Sequence, residues 1–594
     1  MNTNRVVALI RMSVLVLIVS APQPSMAGTN AAERPNLVLI VADDLGFSDL
    51  GSFGGEIRTP NVDDLAAAGQ RFTNFYVSAT CSPTRSMLMT GRDNHVVGLG
   101  NMYEKTAPNQ LELPGYEGVL RTDYPTFVEV LRKHGYRTYM AGKWHLGHEP
   151  SMIPHARGFD RSFSILNGAG SHFDMTGGNR DNEESEFVED DRYLEKVPKG
   201  YYSSTTFTDK LIEYVDADHG SEEPFFAYLA FQAPHDPLQV PTDWLRRYQG
   251  DYDVGWDTLR ERRLERMKAL GIMPAQAENT PRLWYVPDWD KLTGIAQVQQ
   301  ARRMEVYASM VEFMDQEIGR LVKFLKEIGE LDNTWIVFFS DNGANPADPI
   351  SQARRGAGAF LDANFFATNY RTAYESWGRK DGFVAQGAAW AQVSSTPFTG
   401  YKLTSFEGGI RSPLVVRSPS NSRSGEIDTT NIVHVSDIGP TLLDIAEIDV
   451  TELVPEQGPD RQVGASQLAL LTEEDNESAR RAFGMELFGA RAYREGNWKI
   501  TWMHAPYGID DWQLFDLSAD PAELNDLSDE RPDIRARLIR AFETYASANN
   551  VTIPDRTVYD GIEDNLPPRP PVDAPTWPRG QEKNWTTSEE TDND

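Results

Sequence analysis

The sequence predicts an α/β protein: a large, mostly parallel sheet flanked by helices, followed by a smaller α+β region. Three observations carry this. Asn36–Ala42 (NLVLIVA), Pro224–Ala230 (PFFAYLA) and Thr334–Phe339 (TWIVFF) are continuously apolar rather than alternating, as strands covered on both faces are. Helical patterns separate these runs, as they do where helices cross over a parallel sheet. Hydrophobic residues make up 40% of the 594-residue chain and aromatics 10%, enough for a large core and too much for a disordered or fibrous chain.

Residues 1–27 read as an export signal. Arg5 and Arg11 supply a positive start, Met12–Val19 is an apolar run too short to span a bilayer, and Ser25-Met26-Ala27 offers small residues for cleavage near Ala27. The mature chain is expected to be exported and soluble, periplasmic or secreted. Thr59-Pro60 opens a helix through Ala68 that Gly69 ends, and Pro125 opens another through His134 that Gly135 ends. Tyr136–Ala141 (YRTYMA) reads as a strand. The acidic stretch Asn179–Lys196 reads as a long surface loop, and Asp243–Lys268 as a charged helical excursion. Near Arg302–Ile328, Met304, Val311, Met314, Ile318, Leu321 and Leu325 recur at helical spacing, so this is a long packed helix. Beyond Val454 the texture changes: strand-like pieces lie in Ala482–Trp502 and Trp512–Leu517, before a helix near Pro532–Ala546. The chain thus divides into the signal (1–27), a main domain (28–454), a C-terminal α+β region (455–560) and a Pro-rich acidic tail (561–594).

The formal charge is −31, which argues against broad nucleic-acid binding and against docking on an anionic membrane. One cysteine cannot form an internal disulfide, so in an exported protein it is either left free or used chemically.

Ligands of open parallel sheets bind beyond the carboxyl ends of the strands. Here NLVLIVA runs into Asp43-Asp44, and TWIVFFS into Asp341-Asn342-Gly343. PFFAYLAFQAP runs into His235, and YRTYMA into Gly142-Lys143-Trp144-His145. If these strands are neighbours, three carboxylates and an amide oxygen converge, and all-oxygen ligation selects a hard cation, Ca²⁺ or Mg²⁺, over zinc. Cys81 opens Cys81-Ser82-Pro83-Thr84-Arg85. Ser82-Pro83 reads as a helix cap and first helical residue, whose positive end favours an anion, and Arg85 lies one turn on. From composition alone, a buried structural thiol is the simpler reading.

C-S-P-T-R followed by Thr90-Gly91-Arg92 resembles the signature of the type I sulfatases. Also similar, in the same order, are VADDLG (41–46), TPNVDDLAAAG (59–69), GYRTYMAGKWHLG (135–147), APHDP (233–237), SDNG (340–343), EGGIRSP (407–413) and LFDLSADPAELNDL (514–527). WAQVSSTPFTGYK, within Gly378–Lys402, looks closest to the bacterial arylsulfatases. The resemblance implies an alkaline phosphatase-like fold with an antiparallel sheet in its small C-terminal domain. It implies Ca²⁺ on Asp43, Asp44, Asp341 and Asn342, and Cys81 converted by a maturation enzyme to formylglycine. Arg85, Lys143, His145, His235 and Lys402 complete the implied active site. The implied chemistry is attack on a small sulfate ester by one hydroxyl of the hydrated aldehyde, with His235, assisted by Lys402, protonating the leaving oxygen. The second hydroxyl, deprotonated by His145, then expels sulfate. The same site would suit a carbohydrate sulfatase or a phosphate or phosphonate ester hydrolase. With Cys81 unmodified, it would suit a non-catalytic anion binder.

Overall fold

In a computed structural model, residues 34–179, 182–349, 363–420, 423–454, 464–473 and 482–558 are described; the expected signal and tail lie outside them. Strands β1 (Asn36–Ala42), β2 (Gln70–Tyr76), β3 (Arg137–Lys143) and β4 (Arg161–Ile165) come first. A separate hairpin, β5 (Thr176–Asn179) with β6 (Asn182–Glu184), follows. Then come β7 (Phe187–Glu189), β8 (Arg192–Tyr193), β9 (Phe225–Ala230), β10 (Thr334–Ser340), β11 (Arg411–Arg417), β12 (Glu426–Asp428) and β13 (Val433–His434). Apart from β5 and β6 they form an eleven-stranded sheet in the order β12-β2-β11-β10-β1-β9-β3-β4-β7-β8, with β13 also on β2. The central five, β10-β1-β9-β3-β4, are parallel.

Strand β1 shows why its sequence is apolar throughout. Val38, Ile40 and Ala42 enter one core cluster, while Leu37, Leu39 and Val41 enter the other. Helices α1 (Pro60–Ala68), α4 (Ser203–Ala217) and α6 (Gly294–Glu327) pack on the first face through Leu65, Phe207, Leu211, Met304 and Ile318. Helices α2 (Cys81–Thr90) and α3 (Phe127–Lys133) cover the second through Met87, Leu88, Val128 and Leu131. Helix α3 opens on a capping box. Thr126 Oγ1 accepts from the Glu129 amide at 3.1 Å, and the Glu129 carboxylate accepts from the Thr126 amide at 2.7 Å.

The reversals at one side of the sheet set up the site. Strand β11 is antiparallel to β10, and β2 is antiparallel to β11. Strand β2 therefore runs with the central strands. The carboxyl ends of β1, β2, β3, β9 and β10 all meet at one edge, as does the amino end of β11.

Four details differ from expectation. Within the acidic stretch 179–196, β7 and β8 extend the main sheet, because Phe187 and Val188 are apolar enough to bury. Of the charged excursion, only α5 (Gly255–Leu270) is α-helical. Helix α6 starts at Gly294, eight residues before the expected start near Arg302, because Thr293 caps it by accepting from the Ala296 amide. Helix α2 begins at Cys81 rather than after it. The carbonyl of Thr80 accepts the amide of Thr84, and Pro83 is tolerated because amides in a first turn have no helical partner anyway.

Strands β14 (Ala482–Leu487), β15 (Ala490–Glu495), β16 (Trp498–Trp502) and β17 (Trp512–Asp516) form an antiparallel meander. Helix α7 (Pro532–Ala548) packs on it through Ile534, Leu538 and Phe542 against Ile500 and Leu514. No helix among the described residues is long and apolar enough to cross a membrane.

Candidate active site

Every residue of the expected site except His145 lies in one chain of contacts at the convergent sheet edge. Strand β1 runs into Asp43 and Asp44, and β10 into Asp341 and Asn342. Asp44 adopts a left-handed backbone (φ 68°), a conformation an aspartate tolerates. Strand β3 carries Lys143 as its last residue. A Cβ at Gly142 would fall 1.8 Å from the Ala230 carbonyl oxygen, so glycine there lets β3 approach β9 where Lys143 emerges. Lys143 Nζ donates to Asp43 Oδ2 at 2.7 Å. Arg85, one turn into α2, donates twice to Asp341 Oδ2 (3.0 and 2.8 Å) and to the Lys143 carbonyl at 2.7 Å. Lys402 Nζ donates to Asp44 Oδ1 at 2.6 Å and lies 3.4 Å from Cys81 Sγ. The thiol in turn lies 3.4 Å from Asp43 Oδ1.

The segment carrying Lys402 is fixed from two sides. The Lys402 amide donates to the Ala344 carbonyl and the Leu403 amide to the Ala79 carbonyl. From the C-terminal sheet, Thr501 shares a 2.6 Å hydrogen bond with Ser405, and Lys499 bridges Glu407 and Glu523 at 2.8 Å each.

Burial raises the Asp43 carboxyl, but Lys143, His235, Arg85 and Lys402 outweigh it and hold the group well below the usual range. Burial and the neighbouring Asp43 push Asp341 up, against Arg85. Burial also pushes the Cys81 thiol far above its ordinary value, against Lys143 and Lys402. A thiol nucleophile needs the opposite environment. Asp44 Oδ2 and Asn342 Oδ1 are buried without a hydrogen-bond partner, and ligand atoms of Asp43, Asp44, Cys81 and Asp341 all lie within 4.8 Å of one another. Orphaned oxygens among clustered carboxylates fit a hard cation with oxygen ligands.

The two histidines have different partners. His235 Nε2 lies 3.4 Å from Asp44 Oδ2, and its Nδ1 is 2.7 Å from the Asp236 carbonyl oxygen. His145 does not join the cluster directly. Its Nε2 faces Glu104 at 3.8 Å, and burial, with Lys143 and Arg85 nearby, pulls its pKa down to about 4 against Glu104. Three groups escaped the sequence reading. Asp236 Oδ1 is 3.2 Å from His235 Nδ1, and adjacency within APHDP was the available signal. His172 Nε2 is 3.0 Å from the His235 carbonyl oxygen, and Glu104 sits in a loop; neither belongs to a readable motif.

Residues 35–448 match the family model described as Sulfatase, and residues 401–544 match the one described as N-sulphoglucosamine sulphohydrolase, C-terminal. The chain is 39% identical over 554 residues to an uncharacterized sulfatase of Schizosaccharomyces pombe, covering 89% of this chain and 97% of that protein. It is 38% identical over 451 residues to an arylsulfatase of Klebsiella aerogenes, covering 75% and 94%. Among solved structures, Ps i-CgsB is similar in fold, with a TM-score of 0.61 and 23% identity over 90% of this chain and 99% of that one.

Proposed function

The chain belongs to the sulfatase family and is a sulfuric ester hydrolase, and from that premise we propose that it hydrolyses sulfate monoesters of aryl or other small organic alcohols, with Cys81 converted to formylglycine and Ca²⁺ bound beside it. The observation that carries this is the placement of the Cys81 sulfur, 3.4 Å from both Asp43 Oδ1 and Lys402 Nζ, within a buried set of matched charges. When present, the hydrated aldehyde supplies two hydroxyls on one carbon, one to attack sulfur and one to release sulfate.

The chain's own charges explain why a cation is needed. Asp43, Asp44 and Asp341 are matched by Lys143, Lys402 and Arg85, leaving no positive excess for an anionic ester. Asp43, Asp44, Asp341 and Asn342 would hold a divalent ion that would supply that excess. Arg85, Lys143 and Lys402 then stabilise charge on the sulfuryl oxygens, preorganised by the carboxylates that hold them. His235, beside the Asp44 carboxylate that also holds Lys402, protonates the leaving oxygen, and His145 takes up a proton when sulfate is released. Cys81 is buried, so its maturation enzyme has to reach the chain before it folds. The Arg5/Arg11-led apolar start supports export of the mature protein.

The test is relative kcat/KM on aryl sulfates, sulfated sugars and aryl phosphates. The reading requires aryl sulfates to be turned over fastest; faster phosphate hydrolysis would reject it.

A further inference from the structure

The loop after α2 contains a short 3-10 turn, Tyr103–Lys105, that brings Glu104 to His145. The turn is built to stay put. Buried Asn101 donates to the Lys105 carbonyl at 3.0 Å and to Gln110 Oε1 at 2.9 Å, and its own Oδ1 accepts the Met102 amide. Gln110, fully buried, donates onward to the Thr552 carbonyl at 2.7 Å. Gly168 also packs against the His145 ring: a Cβ there would come within 2.4 Å of the ring carbon Cε1. His145 itself holds a left-handed backbone (φ 58°), a conformation histidine adopts more readily than most residues. The imidazole thus has a glycine and a carboxylate as close neighbours.

Two buried atoms of the pair have no hydrogen-bond partner, Glu104 Oε2 and His145 Nδ1. At 3.8 Å, Nε2 and Oε1 are within ion-pair range and long for a hydrogen bond. Burial raises Glu104, but His145 outweighs it and holds the carboxyl at about 2, so it is ionised throughout the neutral range. An ionised carboxylate only accepts. Facing Nε2, it selects the tautomer in which Nε2 carries the proton, and Nδ1 is left bare.

We propose that Glu104 is the positioning residue for His145: it fixes the Nε2–H tautomer, leaves Nδ1 as the atom that takes up a proton during sulfate-ester hydrolysis, and stabilises the imidazolium so formed. The proton arrives at Nδ1, the Nε2 proton stays on the ring, and Glu104 remains ionised. The carboxylate offsets Lys143 and Arg85, whose charges oppose a third cation nearby. This rests on the role given to His145 above.

The test combines turnover with the imidazole ¹⁵N shifts of His145, read in the Cys81→Ala protein so that no modification is needed and assigned by their absence in His145→Gln. Glu104→Gln keeps an acceptor and loses the charge: it should retain the tautomer and lose about 10-fold in kcat. Glu104→Leu removes both: it should give mixed tautomers and lose about 10²-fold in kcat with KM nearly unchanged. A Leu variant with wild-type kcat, or with reduced kcat and an unchanged Nε2–H tautomer, overturns the proposal. Wild-type turnover by His145→Gln would instead overturn the role of His145 on which it rests.

Discussion

Lys402 Nζ lies 3.4 Å from the sulfur of Cys81, although 321 positions separate them in sequence. The approach is a product of topology. Because β11 runs against the central strands, the segment leading into it arrives at the edge where β2 delivers Cys81.

Lys402→Met should lower kcat for aryl sulfates by about 10²- to 10³-fold, the usual cost of removing one preorganised group from the transition state. Steady-state kinetics, with circular dichroism to show that the fold persists, checks this. A change under about threefold would remove Lys402 from the chemistry.

Chelation should lower the melting temperature, and Ca²⁺ should restore it better than Mg²⁺, whose octahedral demand suits four protein oxygens less well. An ion at 100 times its Kd adds about 2.7 kcal/mol. The double variant Asp44→Asn with Asn342→Ala should melt at the same temperature with and without Ca²⁺. A chelator-insensitive wild-type protein would contradict the metal assignment.

His95 should make stability fall in alkali. It is fully buried between Asp93 (2.8 Å) and Glu486 (3.0 Å), tying the loop after α2 to strand β14. Burial lowers its pKa, but the two carboxylates outweigh that and raise it to about 9. A raised folded-state value stabilises fully below the unfolded value near 6.5 and is lost as pH rises through about 9, amounting to about 3 kcal/mol. Denaturant unfolding at pH 6 and pH 10 should show this difference, and Glu486→Gln should shrink it.

The long apolar strands were legible because burial on both faces leaves an unambiguous pattern, and the charged residues after β1, β3, β9 and β10 followed from them. The α/β sheet and the C-terminal antiparallel sheet of the sulfatase fold stand as expected. The start of α2 was misplaced because Ser82-Pro83 carries a cap-like pattern, whereas backbone geometry begins the helix at Cys81. Strands β7 and β8 were hidden by acidic neighbours that face solvent. Glu104 was beyond reach. Its role depends on the turn that Asn101 and Gln110 hold, and tertiary contacts of that kind leave no periodic trace in sequence.

The most direct measurement is the mass of the peptide Phe72–Arg85 from the native, active protein, alongside turnover by Cys81→Ala. An aldehyde mass at Cys81, with the variant folded but inactive, is the predicted result. An unmodified thiol in fully active protein would contradict the formylglycine mechanism at its centre.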